Sequence, residues 1–149
     1  MSADLPVFCD TNVLVYLFDT RYPGKQAAAA QALAGSNLVF SAQVLGEFYV
    51  TVTRKLVEPL ARDVAVATVS ELQRHTVVPI TAALVTSAME TSARFQVSYW
   101  DALIIEAAVV GGCTTVLSED LTDGQVIRGI RIENPFRDVR DVEPSGDVD

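Results

Sequence analysis

The sequence predicts an α/β fold: a three-layer α/β/α domain built on a central, mostly parallel sheet of four or five strands. Three observations support this fold class. Short apolar runs typical of buried strands alternate along the chain with longer stretches typical of helices. Residues that favour helix N-termini follow several strands, and glycines close several helices. The chain has 149 residues and no visible repeat, which is the usual size of one domain.

The first half of the chain contains two predicted strands and four predicted helices. Residues 5–9 form an apolar run, and the capping residues directly after it indicate that a helix follows. Ser41 is a good N-cap after the second strand, and Pro59 is typical of the start of a helix. The predicted strands cover 5–9 and 38–40, and the predicted helices cover 13–18, 25–34, 42–56 and a segment that begins at Pro59.

The second half of the chain alternates strand and helix more regularly. Gly111 and Gly112 end an almost wholly apolar helix, which we expect to be buried. In parallel sheets of this kind, ligands bind in the crevice beyond the carboxyl ends of the strands. The predicted strands cover 76–80, 114–117 and 129–132, and the predicted helices cover 81–95 and 99–110.

The composition is that of a folded protein that stays out of membranes. Half of the residues are hydrophobic and a fifth are charged, which argues against a disordered body. No apolar run is long enough to cross a bilayer, and the first residues lack the pattern of a signal peptide. We therefore expect a cytoplasmic protein. Cys9 and Cys113 lack metal-ligand spacing, and we expect both to be reduced and buried.

The formal net charge is −8. This charge argues against binding of nucleic acid through basic side chains, but it allows an enzyme that binds phosphate through a metal ion. It also suits a basic protein partner. The last residues are acidic and poor in large apolar side chains, so we expect a domain over 1–136 and a frayed, flexible tail over 137–149. Part of the negative charge therefore belongs to the predicted tail rather than to a site.

Two acidic residues directly follow predicted strands. Asp10 comes after the first strand and Asp120 lies just after the fourth, so both are predicted at the carboxyl edge of the sheet. Asp10 could instead serve as a helix cap, and Asp120 could be a turn residue.

Two further acids lie on predicted helices. Glu47 borders an apolar stripe that includes Val44 and Phe48, where a carboxylate is unfavourable unless it is paired; the alternative is the solvent edge of that stripe. Asp101 begins the apolar helix, which would direct it into a crevice, although Ser98 and Asp101 also have the spacing of a capping box.

A group of four carboxylates predicts a divalent cation. Two carboxylates about 6 Å apart repel by roughly 2–3 kcal/mol at an effective dielectric near 20, so several such pairs need a cation to stay charged. Oxygen ligands favour Mg²⁺, or Mn²⁺, and such ions activate water for attack on phosphodiesters. No His or Cys cluster indicates zinc, since the only histidine, His75, is expected at the surface or a sheet edge.

The four acids and their surroundings resemble those of PIN-domain ribonucleases, especially VapC-type toxins of bacterial type II toxin–antitoxin pairs. The resemblance reaches to about Phe136. It is carried by residues 7–16 (VFCDTNVLVY), Glu47 on its helix, residues 99–104 (YWDALI) and residues 117–121 (LSEDL).

This resemblance implies a Mg²⁺-dependent endoribonuclease, usually a homodimer, that a cognate antitoxin holds inactive. It implies that RNA is the substrate and that the four acids are catalytic and form the metal site, with Asp10 and Asp101 as the most direct ligands. It also implies small polar residues that support the site by hydrogen bonds. The residues carried over are, as metal-site acids, Asp10, Glu47, Asp101 and Asp120 and, as supporting residues, Thr11, Asn12 and Ser118.

Several charged residues have two interpretations. Arg54 and Lys55 could contact RNA phosphates or simply complement a helix C-terminus, and Arg21 and Lys25 are weaker candidates for RNA contact. Asp123 could share the metal, but the first position of an Asp-Gly turn is preferred.

Three residues near the predicted site are not assigned to catalysis. Tyr99 and Trp100 could stack on a splayed base, but packing in the core or in a dimer is preferred. Glu106 is predicted to be exposed or paired, and not catalytic.

Three other functions compete with the toxin hypothesis. One is a PIN-type RNA-processing nuclease that has no antitoxin, and another is a catalytically silent domain that binds RNA or protein. The intact acids argue against the silent domain. A phosphoryl-accepting signalling domain is disfavoured because the first strand lacks a following acidic pair and no lysine follows Lys55.

Overall fold

A six-stranded sheet forms the centre of the computed structural model, which describes residues 5–141. The strands lie in the order β3-β2-β1-β4-β6-β5; all neighbours are parallel except β5 and β6. This sheet is flanked by helices, which confirms the predicted fold class, and it has one strand more than predicted. The strands are β1 (Pro6–Cys9), β2 (Asn37–Ser41), β3 (Thr76–Val78), β4 (Thr115–Leu117), β5 (Val126–Ile127) and β6 (Ile130–Glu133).

Six helices connect the strands, and side-chain caps begin most of them. Ser41, Thr81 and Ser98 each accept a hydrogen bond from a backbone N–H in the first turn of the helix that follows, as the sequence predicts for Ser41. The helices are α1 (Thr11–Tyr16), α2 (Pro23–Leu33), α3 (Ala42–Arg54), α4 (Arg62–Leu72), α5 (Ala82–Phe95) and α6 (Tyr99–Val110).

Two local predictions are wrong. The fourth helix begins at Arg62 and not at Pro59, because the intervening chain turns back onto α3, where the Leu60 N–H donates to the Val52 carbonyl at 2.8 Å. The short strand β5 was not predicted. It pairs with β6 through a two-residue turn at Arg128 and Gly129, whose positive φ angles of 55° and 75° suit a tight hairpin.

The core lies between the sheet and the helices, and α6 is the most buried helix. All residues from Ala102 to Ala108 are buried, as the apolar sequence predicts. Cys9 and Cys113 are free and buried, which confirms that prediction. His75 is exposed and contacts the Phe40 ring at a centroid distance of 5.7 Å, also as expected.

Strand register brings the ends of β1 and β4 together. Cys9 is opposite Leu117, and the Asp10 N–H donates to the Leu117 carbonyl at 3.0 Å. The next residues of the two strands, Asp10 and Ser118, therefore lie side by side at the carboxyl edge of the sheet. Strand β2 ends at the same edge, where Ser41 leads into α3.

The last described residues contact the domain. The Asp141 carboxylate accepts hydrogen bonds from the Gly24 N–H at 2.8 Å and the Lys25 N–H at 2.7 Å, at the start of α2. Residues 142–149 of the predicted tail lie outside the described residues, and the domain boundary at Phe136 stays a prediction. Within residues 5–141, no helix has the length and apolar character needed to span a membrane.

Candidate active site

Asp10 is held in place by three hydrogen-bond donors. It directly follows β1 and is the N-cap of α1, where its Oδ1 accepts from the Thr11 N–H at 2.7 Å. Its Oδ2 accepts from the Ser118 hydroxyl at 2.8 Å and the Asn12 amide at 3.2 Å. The helix-cap interpretation of Asp10 is confirmed, and its role in a metal site stays a prediction.

The environment of Asp10 disfavours its charge. The pKa of Asp10 is raised from 3.8 to about 6, mainly by burial and to a smaller extent by the nearby charges of Asp120 and Glu47. The hydrogen bonds from Ser118 and Thr11 act in the opposite direction, because they stabilise the carboxylate. The result is a part-buried acid that has no positive partner among residues 5–141.

Asn12 and Ser118 connect Asp10 to Asp120. The Asn12 amide donates to Asp120 Oδ2 at 3.1 Å and accepts from the Glu119 N–H at 3.0 Å. The Ser118 hydroxyl accepts from the Asp120 N–H at 3.1 Å. Both residues therefore orient acids by hydrogen bonds. Thr11 does so only through its backbone, and within residues 5–141 its buried hydroxyl has no partner.

The four predicted acids line one cavity of about 480 Å³. Glu47 reaches it from α3 and Asp101 from the first turn of α6, whereas Asp10 and Asp120 follow β1 and β4. The Asp101 N–H donates to the Ser98 hydroxyl at 3.1 Å, so the predicted cap is also present. The remaining lining residues are Gln43, Trp100 and Ile104.

A second cavity of about 460 Å³ adjoins the first and shares Asp10, Glu47 and Asp120 with it. Its lining also includes Arg21 and Lys55. The acids therefore lie between a cavity with basic residues and a cavity with an exposed indole.

The acids face one cavity without forming a closed metal cage. In the part of the chain that the structure describes, no three Asp, Glu, His or Cys side chains lie close enough together to enclose a metal ion. The donor set fits Mg²⁺ in another way, since Mg²⁺ keeps several waters and needs only one or two carboxylates. Among residues 5–141, none of the four acids forms an ion pair with Lys, Arg or His.

The basic candidates differ in their freedom to bind a ligand. Lys25 is bound to Glu119 at 2.6 Å and to the Tyr16 hydroxyl at 3.2 Å. Lys55 lines the second cavity and is exposed, whereas Arg54 lines neither cavity. Arg21 also lines the second cavity but pairs with Asp19 at 2.8 Å.

Two acids near the site have structural partners. Glu106 was predicted to be either exposed or paired. It is paired, and its side chain is buried, with 3% exposure. It accepts from Arg128 at 3.0 and 3.2 Å and from the Thr91 hydroxyl at 2.9 Å.

Asp123 lines neither cavity. Its carboxylate accepts from the Asn134 N–H at 2.8 Å, and the next residue, Gly124, has a positive φ angle. The turn interpretation of Asp123 agrees with this geometry.

Trp100 does not pack in the core, because its side chain is 64% exposed, and its packing in a dimer stays a prediction. Tyr99, by contrast, does pack against the core.

Gln43 was not identified from the sequence as a residue of the site. Its position one turn before Glu47 on the same helix could have indicated it, since residues four apart share a helix face.

Comparison with known proteins identifies the family. The sequence profile of the PIN domain matches residues 7–122, which include all four acids. The chain belongs to the PIN-domain family. This confirms the resemblance inferred from the motifs. A search of curated proteins finds no match.

Solved structures share the fold of this PIN domain. A toxin–antitoxin complex from Klebsiella pneumoniae has a TM-score of 0.66 at 19% identity and covers 87% of this chain and 97% of that chain. DNA-bound VapBC from Salmonella typhimurium has a TM-score of 0.61 at 20% identity and covers 88% and 98%. VapC20 from Mycobacterium tuberculosis, a sarcin–ricin loop cleaving toxin, has a TM-score of 0.55 at 22% identity and covers 74% and 86%.

Proposed function

We propose that this PIN domain is the toxin of a toxin–antitoxin pair and acts as a Mg²⁺-dependent endoribonuclease. One observation carries this proposal. Four carboxylates line a single cavity at the carboxyl edge of the sheet, and no cation of the described chain pairs with them. Such a cavity attracts a divalent cation, because carboxylates close together repel one another unless a cation offsets their charge.

Asp10 and Asp101 are proposed as the direct ligands of Mg²⁺, or of Mn²⁺, with Glu47 and Asp120 completing the site. The bound ion would lower the pKa of a water molecule and offset charge on the phosphodiester. Ser118 supports this arrangement, because its hydroxyl donates to Asp10 and accepts from the Asp120 backbone.

Lys55 is proposed to bind an RNA phosphate beside the acids. It lines the second cavity together with Asp10 and is exposed, so a strand that follows this cavity away from the acids would meet it. Arg54, the other predicted contact, lines neither cavity and is not included in this proposal. Arg21 is held by Asp19 and would contribute less.

The proposal includes a cognate antitoxin, a homodimer and a cytoplasmic location. Similar structures are complexes of toxins with antitoxins, which supports the first of these. The net charge of −8 favours a basic partner. Light scattering of the purified chain, alone and with the product of the neighbouring gene, tests both assemblies.

The decisive experiment is an RNA cleavage assay with Mg²⁺, with EDTA, and with Asp10→Asn and Asp101→Asn proteins. We expect cleavage by the wild type in Mg²⁺ only, and none by the variants. Cleavage by purified variants, or none by the wild type with any divalent metal, would contradict the mechanism. Circular dichroism confirms that each variant is folded.

A further inference from the structure

We propose that Trp100, Gln43 and Ile104 form a nucleobase subsite next to the acids, in which Trp100 stacks on an unpaired base of the RNA. The three residues line the same cavity as the four carboxylates. This inference rests on the proposed function, and it adds the class of nucleotide that the site accepts: one whose base is free to leave its stack.

Trp100 is positioned for contact with a ligand rather than for packing. Its side chain is 64% exposed although it belongs to the first turn of α6, a helix in which all residues from Ala102 to Ala108 are buried. Tyr99 packs edge-on against it at a centroid distance of 4.9 Å and an interplanar angle of 76°. Because Tyr99 is itself packed against the core, it holds the indole beside Asp101.

Gln43 provides a polar group for the edge of a base. Its Oε1 atom is buried, and within residues 5–141 it has no hydrogen-bond partner. An unsatisfied buried acceptor is unfavourable, and an N–H donor from a ligand would remove that penalty after rotation of the amide. Nucleobases carry such donors on their edges, whereas aliphatic side chains of a protein partner do not.

The arrangement of the two cavities favours a nucleotide as the occupant. The cavity with Trp100 and the cavity with Lys55 share Asp10, Glu47 and Asp120. A strand with a phosphate over the shared acids would extend toward Lys55 on one side and place a base against Trp100 on the other. The volume of about 480 Å³ lies within the range of roughly 300–1,000 Å³ found for small-molecule sites.

The chain offers a direct probe of this contact, because Trp100 is its only tryptophan. A short single-stranded RNA is titrated into the wild-type protein in EDTA, and indole emission is followed with excitation where tyrosine does not absorb. Stacking predicts saturable quenching. The same RNA with an abasic residue at the nucleotide beside the cut is expected to bind more weakly and to quench little.

Steady-state cleavage by variants separates stacking from a general surface effect. Trp100→Ala is expected to raise KM about 5- to 100-fold with a smaller change in kcat, because base stacking contributes to binding. Trp100→Phe keeps an aromatic ring and should retain most of the affinity. Val110→Ala is the matched control: Val110 is 65% exposed at the other end of the same helix, and its variant should behave as wild type.

A combined test links residue and base. On abasic RNA, Trp100→Ala should cause no further loss, and Gln43→Met should lose affinity only for RNA that keeps the base. Wild-type cleavage without quenching, together with equal KM values for Trp100→Ala and Val110→Ala, would overturn the subsite and leave the proposed function standing. A change in the oligomeric mass of Trp100→Ala with unchanged RNA constants would overturn it too, because Trp100 would then belong to an interface between copies.

Discussion

Carboxylates in two regions of this protein have opposite kinds of partner. In the middle of α6, Glu106 is 3% exposed and receives two hydrogen bonds from Arg128 and one from Thr91. At the carboxyl edge of the sheet, Asp10 is part-buried and receives hydrogen bonds from neutral groups only, and no described cation pairs with any of the four acids there. The fold therefore pairs the structural acid with its own cation, whereas no cation of the described residues pairs with the edge acids.

The largest expected effect tests this contrast in activity. Asp10→Asn should lower kcat for RNA cleavage by about 1,000-fold or more, because a catalytic metal stabilises the transition state by several kcal/mol. Glu106→Gln should leave kcat within a few-fold of wild type, since Glu106 contacts structural residues only. Single-turnover cleavage measures both. Equal losses would show that the two regions do not differ as described.

A second effect concerns stability. Arg128→Ala would leave the buried Glu106 carboxylate without its cation and should lower the free energy of unfolding by about 2–4 kcal/mol. The expected loss is reduced because the Arg128 side chain is 41% exposed, so solvent screens part of its attraction to Glu106. Arg137→Ala is the matched control, because its exposed pair with Asp123 should contribute less than about 1 kcal/mol. Urea denaturation of both variants gives the comparison.

The third effect is a pH dependence of the metal-free protein. Burial raises the pKa of Asp10 from 3.8 to about 6, so between these values the folded state binds more protons than the unfolded state. Stability should therefore fall as the pH rises through this window, by about 2–3 kcal/mol in total, and the loss should be complete above pH 6.

The difference between wild type and Asp10→Asn isolates this contribution. Urea midpoints are measured in EDTA from pH 4 to pH 7.5, since other acids give pH dependence to both proteins. Millimolar Mg²⁺ at pH 7.5 should restore stability to the wild type but not to Asp10→Asn. If the difference in stability between the two proteins is the same at every pH, the pKa of Asp10 is not raised in the folded state.

The smallest effect concerns the basic side of the site. Lys55→Ala should raise KM about 3- to 10-fold with little change in kcat, since one phosphate contact contributes to binding of the whole strand. Arg54→Ala, the adjacent residue outside both cavities, should change KM by less than about twofold. Raising the salt concentration should reduce the gap between wild type and Lys55→Ala, and a gap that is independent of salt would argue against a phosphate contact.

The sequence predicted what local patterns determine. The strands that lead to Asp10 and Asp120 are short apolar runs, and α6 has the same bounds in sequence and structure because Ser98 and Gly111 mark its ends. Once the strands are parallel, the edge on which their following residues meet is fixed by geometry. The sequence alone therefore places Asp10 and Asp120 at the same edge of the sheet, whereas the helices that carry Glu47 and Asp101 are positioned by packing.

The remaining features depend on tertiary contacts that no local pattern reveals. The start of α4 is set by a hydrogen bond back to α3, and β5 is too short to show periodicity. The apolar character of Trp100 favoured burial, yet its position at the end of α6 leaves it open to the cavity. Asp141 belongs to a stretch that looks like a solvated tail, and only its contact with α2 distinguishes it.

The order of the strands also limits how this protein can associate with others. Within residues 5–141 the outermost strands of the sheet are β3, with three residues, and β5, with two. Both edge strands are also interrupted at once, since Pro79 directly follows β3 and a tight turn follows β5. Neither edge offers a backbone template long enough to add a foreign strand. Within residues 5–141, the surfaces left for a partner are therefore the helices and the rims of the cavities, and edge-to-edge aggregation is unfavourable.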